Sequence, residues 1–533
     1  MNLLSKSLYL QYLQCPRLLW LSSNTPAVIP LPSVVDLHRM AEGRKVEKMA
    51  QRLFDKYQCY HDNEFEAMVA EAEKDLNNPD AGDVFFNTVA KSGRLVAEMD
   101  ILHTTRDHLL NIFEVKSSSE VKDEYLHDIA FQRYVAMKSG LDMGESSIIT
   151  INTDYLRQGS VDVSSVSGLF RITDVSGEVD DLMPSTEKNI HEALMIMDLP
   201  ECPEPKIGKH CDDCPLADTP DGCFSHIHSE PCNPFTLYRI PKKRAWGWYE
   251  DGILKNTDIP PTYPLTDKQR IQIKAEKTEK PHIDKGAVRS FIDGLEYPLH
   301  YLDFETFSPA IPMFQHSSPY QQIPFQFSLH IQTAPEQDPK DIQHHSWIWD
   351  GNGDPRLEQL KRLEGLLGKE GSIVVYNAQF ERMILRQAVK ISPEHEDWLT
   401  GILDRFVDLL EPFRAFNYYH PAQHGSASIK SVLPALTGKS YEGMDISNGA
   451  MASVQFVRVM FGDGKKDRAL VMRQLEEYCG LDTMGMVEIV GRLRGMTQRK
   501  LAPQKDKPTR SEPVNSGPKG RGFKSRRPDH LYF

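Results

Sequence analysis

Four acidic positions in the C-terminal half, Asp303, Glu305, Glu381 and Asp482, are laid out as a two-metal phosphodiester hydrolase would need them. Asp303 and Glu305 end an apolar run that begins at Tyr297, so strand alternation sends both carboxylates to one side. Ile373-Val374-Val375-Tyr376 reads as a short strand feeding a helix that starts near Phe380, with Glu381 in its first turn. Tyr478 and Asp482 are four residues apart in a long helical pattern and share a helix face. Carboxylates gathered this way would hold two divalent cations, Mg2+ or Mn2+, about 4 Å apart. One cation would activate water and the other stabilise the departing 3′ oxygen, with Tyr478 orienting the water.

A second set lies in the N-terminal half. A hairpin turning at Asp107 places Asp100 opposite Glu114, and alternation then puts Glu114 and Lys116 on one face. Two carboxylates can position a cation and water, while the lysine can stabilise the charge that develops on phosphorus. Taken alone, such a hairpin is better explained as an ordinary charged one. Cysteines change that balance: Cys211, Cys214 and Cys223 fall close together and Cys15 lies far upstream. Four thiolates can hold tetrahedral zinc or an iron–sulfur cluster, and spacing alone does not choose between them. Either would tie the first helix of the domain to its last segment, closing a loop of roughly 200 residues. Cys202 and Cys232 rank below Cys223 as ligands, and Cys59 and Cys479 read as core-packing thiols. His38 reads as a surface histidine.

The elements that must position these groups imply an α/β chain. Helical patterns run through Leu8 to Cys15 and Val46 to Phe54, strands flank a polar turn at Thr104 to His108, a helix covers 123–138, and Ser147 to Asn152 is a buried strand. Strand signals at 297–304, 325–332 and 371–376 alternate with helices near 356–368, 380–389 and 467–494. The expected organisation is a module over 1–235, a connector over 236–290, a second module over 291–497 and a basic, disordered tail over 498–533. That tail holds ten Lys/Arg against three Asp/Glu, a surplus that either adds weak, salt-sensitive affinity for phosphates or serves only to solubilise the chain. In the connector, Lys242-Lys243-Arg244-Ala245-Trp246 offers either a base-stacking platform or a tryptophan packed between domains.

The whole chain has 533 residues, 40% hydrophobic and 26% charged, and carries a net charge of −13. That length predicts more than one core. The acidic balance argues against a protein that coats nucleic acid over its whole surface, though not against a nuclease with local basic patches. No apolar run approaches the roughly 18 residues of a membrane span, and the first residues lack a secretion signal, so a cytoplasmic protein is expected. Eight cysteines in such a chain are not a disulfide framework.

Over 296–496 the sequence resembles the DnaQ-like DEDD 3′–5′ exonucleases of the tyrosine-containing subgroup, on an RNase H-like mixed-sheet fold. Asp303 and Glu305 match the first motif, Asn377 and Glu381 the second, Tyr478 and Asp482 the third. Asp408-Leu409-Leu410 and Ser428-Ile429-Lys430 match later segments of that family. Glu381 stands where the family usually has Asp. Over about 1–230 the chain resembles RecB-like PD-(D/E)xK nucleases, with a restriction-endonuclease-like fold and a 4Fe–4S cluster. That resemblance gives Asp100, Glu114, Lys116 and Gln132 catalytic roles and assigns the cluster to Cys15, Cys211, Cys214 and Cys223, which tips the metal toward iron. Glu47 stands where those nucleases usually place histidine and would serve as a metal ligand, and Tyr134 follows Gln132 by two residues rather than four. The combination implies a bacterial two-module nuclease acting on DNA ends, with RNA as a possible substrate and no membrane partner; no feature fixes the oligomeric state. The alternative is a nucleic-acid-binding adaptor with one or both sites inactive.

Overall fold

The computed structural model describes residues 2–54, 57–59, 65–76, 82–217, 219 and 222–497. The expected basic tail lies outside them, as does the side chain of Cys59. The chain is mixed α/β, and its described residues form two mixed sheets and a small antiparallel pair, His282–Ile283 with Tyr418–Tyr419.

The first sheet has six strands in sequence order: β1 Tyr57–Cys59, β2 Val84–Ser92, β3 Leu95–Thr104, β4 Leu110–Val115, β5 Met143–Ile151 and β6 Phe170–Asp174. The β1/β2 and β4/β5 pairs are parallel and the others antiparallel. Six helices accompany it: α1 Lys6–Gln14, α2 Pro16–Asn24, α3 Val34–Ala50, α4 Phe65–Leu76, α5 Asp123–Lys138 and α6 Ser176–Met197. Adjacent apolar residues explain why both faces are covered, since successive strand side chains point opposite ways. Phe85 and Ile148 pack with Tyr9 and Phe131 on one face, whereas Phe86 and Ile149 pack with Val46 and Phe170 on the other.

Residues 236–290 carry three helices, α7 Lys242–Glu250, α8 Asp267–Thr278 and α9 Lys285–Asp293. Trp246 is buried against Phe224 and Phe235, and its indole N–H donates to Asp212. The ring therefore joins this stretch to the cysteine-bearing segment and is not open to a base. The second sheet has β7 Leu299–Phe307, β8 Ile323–Gln332, β9 Gln343–Ile348, β10 Ile373–Val375 and β11 Phe406–Asp408, in the order β9-β8-β7-β10-β11. The first two pairings are antiparallel and the last two parallel. Ile373, Val374 and Val375 are fully buried, as a strand covered on both faces must be. Helices α10 Pro355–Leu367, α11 Ala378–Val389, α12 Glu396–Leu403, α13 Ile429–Thr437, α14 Gly449–Phe461 and α15 Arg468–Thr497 complete this half.

The two halves are stapled together. The segment between β7 and β8 inserts Ala310 into the core of the first sheet. Arg157 donates to the carbonyls of Pro312 and Met313, and the hydroxyls of Ser117 and Tyr320 meet at 3.2 Å. Among the described residues no helix is long and apolar enough to cross a membrane.

Candidate active site

In the C-terminal half, β7 delivers Asp303 and Glu305 to one side of the sheet, paired in register with Ser328 and Gln326 of β8. Helix α15 brings Tyr478 and Asp482 to the same place, and α11 brings Glu381 in its first turn. The turn into α11 is held by Asp408, whose carboxylate accepts from the backbone N–H groups of Asn377 and Leu410. Asn377 itself adopts a left-handed conformation, φ 93°, one that asparagine tolerates better than most residues. Ligand atoms of Asp303, Glu305 and Cys479 lie within 4.8 Å of one another; Asp482 and Glu381 fall outside that group, though each is near enough to Asp303 for their charges to interact.

The electrostatics of this cluster are unbalanced. Burial, then the neighbouring Asp482 charge, pushes the Asp303 carboxyl well above its usual range, and Glu305 is raised by burial and by both aspartates. Asp482 is pushed up to about 6 by burial, against hydrogen bonds from Tyr441 and Tyr478 and the charge of Lys430. Lys430 is the one ammonium facing the group among the causes that shift these carboxyls. It lies over the rings of Tyr478 and Tyr441, at 4.9 and 5.4 Å, and donates to the Ser447 carbonyl. Glu381 stands deeper, 2% exposed; burial and then Asp303 raise it, and among the described residues its Oε2 has no hydrogen-bond partner. Cys479 is a buried core thiol, as expected, and it also points at Asp303 Oδ2 from 3.6 Å. Burial and the carboxylates push that thiol up, so it stays neutral. Hard divalent cations take oxygen ligands. Asp303 and Glu305 offer such oxygens within 4.8 Å of each other, with Asp482 and the orphaned Glu381 oxygen within the electrostatic reach of Asp303.

The N-terminal set also comes together, but in a different condition. The ladder pairs Ile101 with Phe113, so the next step sets Asp100 against Glu114, and Asp100 accepts from the Val115 N–H at 2.8 Å. Lys116 reaches Glu114 at 2.8 Å, and Gln132 donates to Glu114 Oε2 at 2.8 Å. Two residues absent from the sequence-based set join them. Lys6 of α1 lies 2.9 Å from Glu114, and Asp128 of α5 accepts from Lys116 at 2.5 Å and from Gln132 at 2.9 Å. Burial works against ionisation of Glu114, yet Lys116 and Lys6 hold its carboxyl down at about 2. Asp100 is raised by burial and by the Glu114 charge, with Glu47 a smaller contributor. Glu47 accepts from Asn87 at 2.7 Å. Tyr134 turns away to donate to Glu187.

Cys15, Cys211, Cys214 and Cys223 line one small cavity, with Arg17 and His210 beside them. Thiols are the donor type that zinc and iron–sulfur clusters take, but among the described residues no three of these sulfurs lie within 4.8 Å of one another. Cys202 lies near enough to Cys15 and Cys223 for their charges to act on it. Cys232 departs from that group: its Sγ is 3.9 Å from His424 Nδ1, and its thiol bonds Glu276. His38, expected at the surface, lines the large cavity onto which the C-terminal carboxylates open.

A family model described as a domain of unknown function (DUF2779) matches residues 300–428. That stretch takes in Asp303, Glu305, Asn377, Glu381 and Asp408, and stops short of Lys430, Tyr478 and Asp482. The uncharacterized protein MG366 homolog of Mycoplasma pneumoniae is 26% identical over 258 residues, covering 45% of this chain and 38% of that protein. The uncharacterized protein MG366 of Mycoplasma genitalium is 26% identical over 241 residues, covering 42% and 36%. The chain thus spans less than two thirds of the length of both relatives.

Proposed function

We propose that this chain is a metal-dependent nuclease that shortens nucleic-acid strands from the 3′ end at its C-terminal carboxylates. The observation that carries the reading is a gathering of buried Asp303, Glu305 and Asp482 with Lys430 the one ammonium acting on them: burial raises all three carboxyls, and neighbouring carboxylate charge adds to the rise of Asp303 and Glu305. Folding that much like charge together is costly unless cations join it. Divalent cations bound there would supply Lewis-acid activation of water and stabilise the departing oxygen.

The chain's own residues account for the rest. Tyr441 and Tyr478 hydrogen-bond Asp482 and fix its orientation. Burial raises the phenol of Tyr478, so it stays protonated; with its one O–H donated to Asp482, its oxygen can accept from, and so orient, an attacking water. Lys430, held over the two rings, adds positive charge beside the phosphate undergoing attack. The mixed sheet that sets Asp303 and Glu305 against α15 supports the RNase H-like resemblance. In the N-terminal half, the meeting of Asp100, Glu114, Lys116 and Gln132 supports the PD-(D/E)xK resemblance, and the four-cysteine cavity supports a cluster that fastens α1 to the segment after α6.

Asp303→Ala with Glu305→Ala should reduce shortening of a 5′-labelled single strand, in Mg2+ or Mn2+, by at least ~10³-fold. Digestion that persists unchanged in that variant removes the assignment. A wild-type chain that binds nucleic acid without shortening it in any divalent cation favours the adaptor reading instead.

A further inference from the structure

The carboxylates do not open to bulk solvent as a shallow patch. They form part of the wall of a cavity of about 1340 Å³ that is completed by the other half of the molecule. Helix α3 of the N-terminal half lies against α14 and contributes Val35, His38 and Lys45 to that wall. Sites for a single small ligand usually run to about 300–1,000 Å³, so the space suits a longer occupant.

Its charge also points to a polymer. Beyond the carboxylates, the lining presents Arg39, Lys45, Arg157, Arg239, Arg414 and Lys430 against one acid, Glu42. The chain as a whole carries −13, so composition does not explain this concentration of cations. Four of the six have other duties. Lys45 bonds Glu42 at 2.7 Å, Arg39 sits 3.6 Å from Asp36, Arg157 staples the two halves, and Lys430 serves the carboxylates. Arg239 and Arg414 are different. Among the described residues, neither guanidinium has an acid partner or a hydrogen bond, and Arg239 makes only a ring contact with its neighbour Tyr238 at 5.5 Å. Arg239 is moreover held at φ 48°, a left-handed conformation that costs energy in a residue with a side chain.

We infer that the two halves of the molecule form one substrate cleft, which holds a single-stranded nucleic acid between α3 and the carboxylate sheet, with Arg239 and Arg414 gripping phosphates upstream of the bond to be cut. Unpaired guanidiniums are suited to phosphate oxygens, which they can meet with two parallel N–H donors. Tyr320 and Phe380 line the same space and offer rings on which unpaired bases can stack. Bases stacked within a duplex cannot use those faces. The inference rests on the nuclease reading for its polarity, but its binding surface can be tested separately.

The test measures binding of a fluorescent twelve-nucleotide oligothymidylate to the full chain carrying Asp303→Asn, which leaves the strand intact. Adding Arg239→Glu and Arg414→Glu should weaken binding about 30-fold at about 0.1 M salt. The slope of log affinity against log salt should fall by about 1.4, two single-strand phosphate contacts. Arg239→Gln with Arg414→Gln guards against a folding defect and should give the same loss of slope. With Asp303 restored, the arginine pair should raise KM for the oligonucleotide while sparing kcat on a dinucleotide too short to reach both side chains. Unchanged affinity and slope in both pairs, or equal binding of a blunt duplex, overturns the cleft. If strands are shortened normally while binding ignores the arginines, the cleft fails and the nuclease reading stands. If binding depends on the arginines but no strand is ever shortened, the cleft survives as a binding surface and the nuclease reading fails.

Discussion

The two carboxylate clusters of this molecule contain similar residues but differ in how much counter-charge the chain supplies to them. Around Glu114, two ammonium groups and a glutamine amide satisfy the oxygens and hold that carboxyl at about 2, although burial and the Glu114 charge raise its neighbours Asp100 and Asp128. Around Asp303, three carboxyls face one half-buried lysine and all are raised. The first cluster has its counter-charge built into the chain by α1 and by the residue that follows β4. The second leaves counter-charge to be supplied from outside. Acidic residues brought together by a fold are therefore not sufficient to mark a cation site; the deficit of internal partners is what distinguishes one cluster from the other.

The largest expected effect comes from breaking the balanced cluster. Lys116→Met removes one of the two ammonium groups from Glu114 and the closest one from Asp128, whose carboxylates are 2% and 4% exposed. Leaving buried charge without its partner typically costs about 3–5 kcal/mol. Chemical denaturation should show a loss near the lower end, since Lys6 remains 2.9 Å from Glu114. A change below about 1 kcal/mol would mean that the lysines do not neutralise this cluster.

Neutralising the other cluster should act in the opposite direction. Glu305→Gln keeps the shape of the side chain and removes one of the crowded charges, so in chelator it should stabilise the chain by roughly 1–2 kcal/mol. Saturating Mn2+ should reverse the order, because the wild type gains more from the ion. The pH dependence follows from the same shifts. Asp482 is raised from 3.8 to about 6, so the folded chain holds a proton that the unfolded chain releases, and metal-free stability falls as pH rises through that window. Glu114 is depressed from 4.5 to about 2, so its contribution is complete above 4.5 and is lost as pH falls toward 2. Melting curves in chelator that steepen with rising pH in Glu305→Gln as much as in wild type would sink this account.

Sequence patterns reveal one half of this comparison better than the other. Helix α5 spans Asp123–Lys138, as its pattern predicts, and the Asp107 turn sets the register that brings Asp100 to Glu114. Short-range periodicity fixes both. The partners that set the charge state are harder to find. Lys6 lies 108 residues from Glu114, and nothing in Ser5-Lys6-Ser7 distinguishes it from a surface lysine. Asp128 was accessible, because it stands four residues before Gln132 on one helix face. Tyr441 lies in a segment with little periodicity, and only the packing of that segment on α15 gives its hydroxyl a role. Strand β2 and helices α8 and α9 also escape the pattern, since a strand buried on both faces loses its alternation and Pro/Lys-rich stretches resemble linkers, whereas the helical piece holding Trp246 and Trp248 is legible. The shared cavity is invisible for a more basic reason: each wall belongs to a different core.

The smallest effect tests whether the open cluster is at least held in shape by its neighbours. Tyr441 is 6% exposed and donates to Asp482 Oδ1, while its ring carries Lys430 at 5.4 Å. Tyr441→Phe keeps the ring, and with it the cation–π contact, and deletes only the hydroxyl. The loss of one hydrogen bond to a carboxylate, without a change in the number of ligands, should weaken Mn2+ binding about 10-fold. Because Asp482 then loses a group that favours its charged form, its carboxyl should rise further and the pH needed for half-maximal Mn2+ binding should move upward. An equivalent deletion around Glu114, Gln132→Leu, should leave Mn2+ binding at the C-terminal cluster untouched. Equal losses from both variants would mean that the clusters communicate, and the contrast between a self-neutralised set and a cation-seeking one would no longer describe two independent parts of the chain.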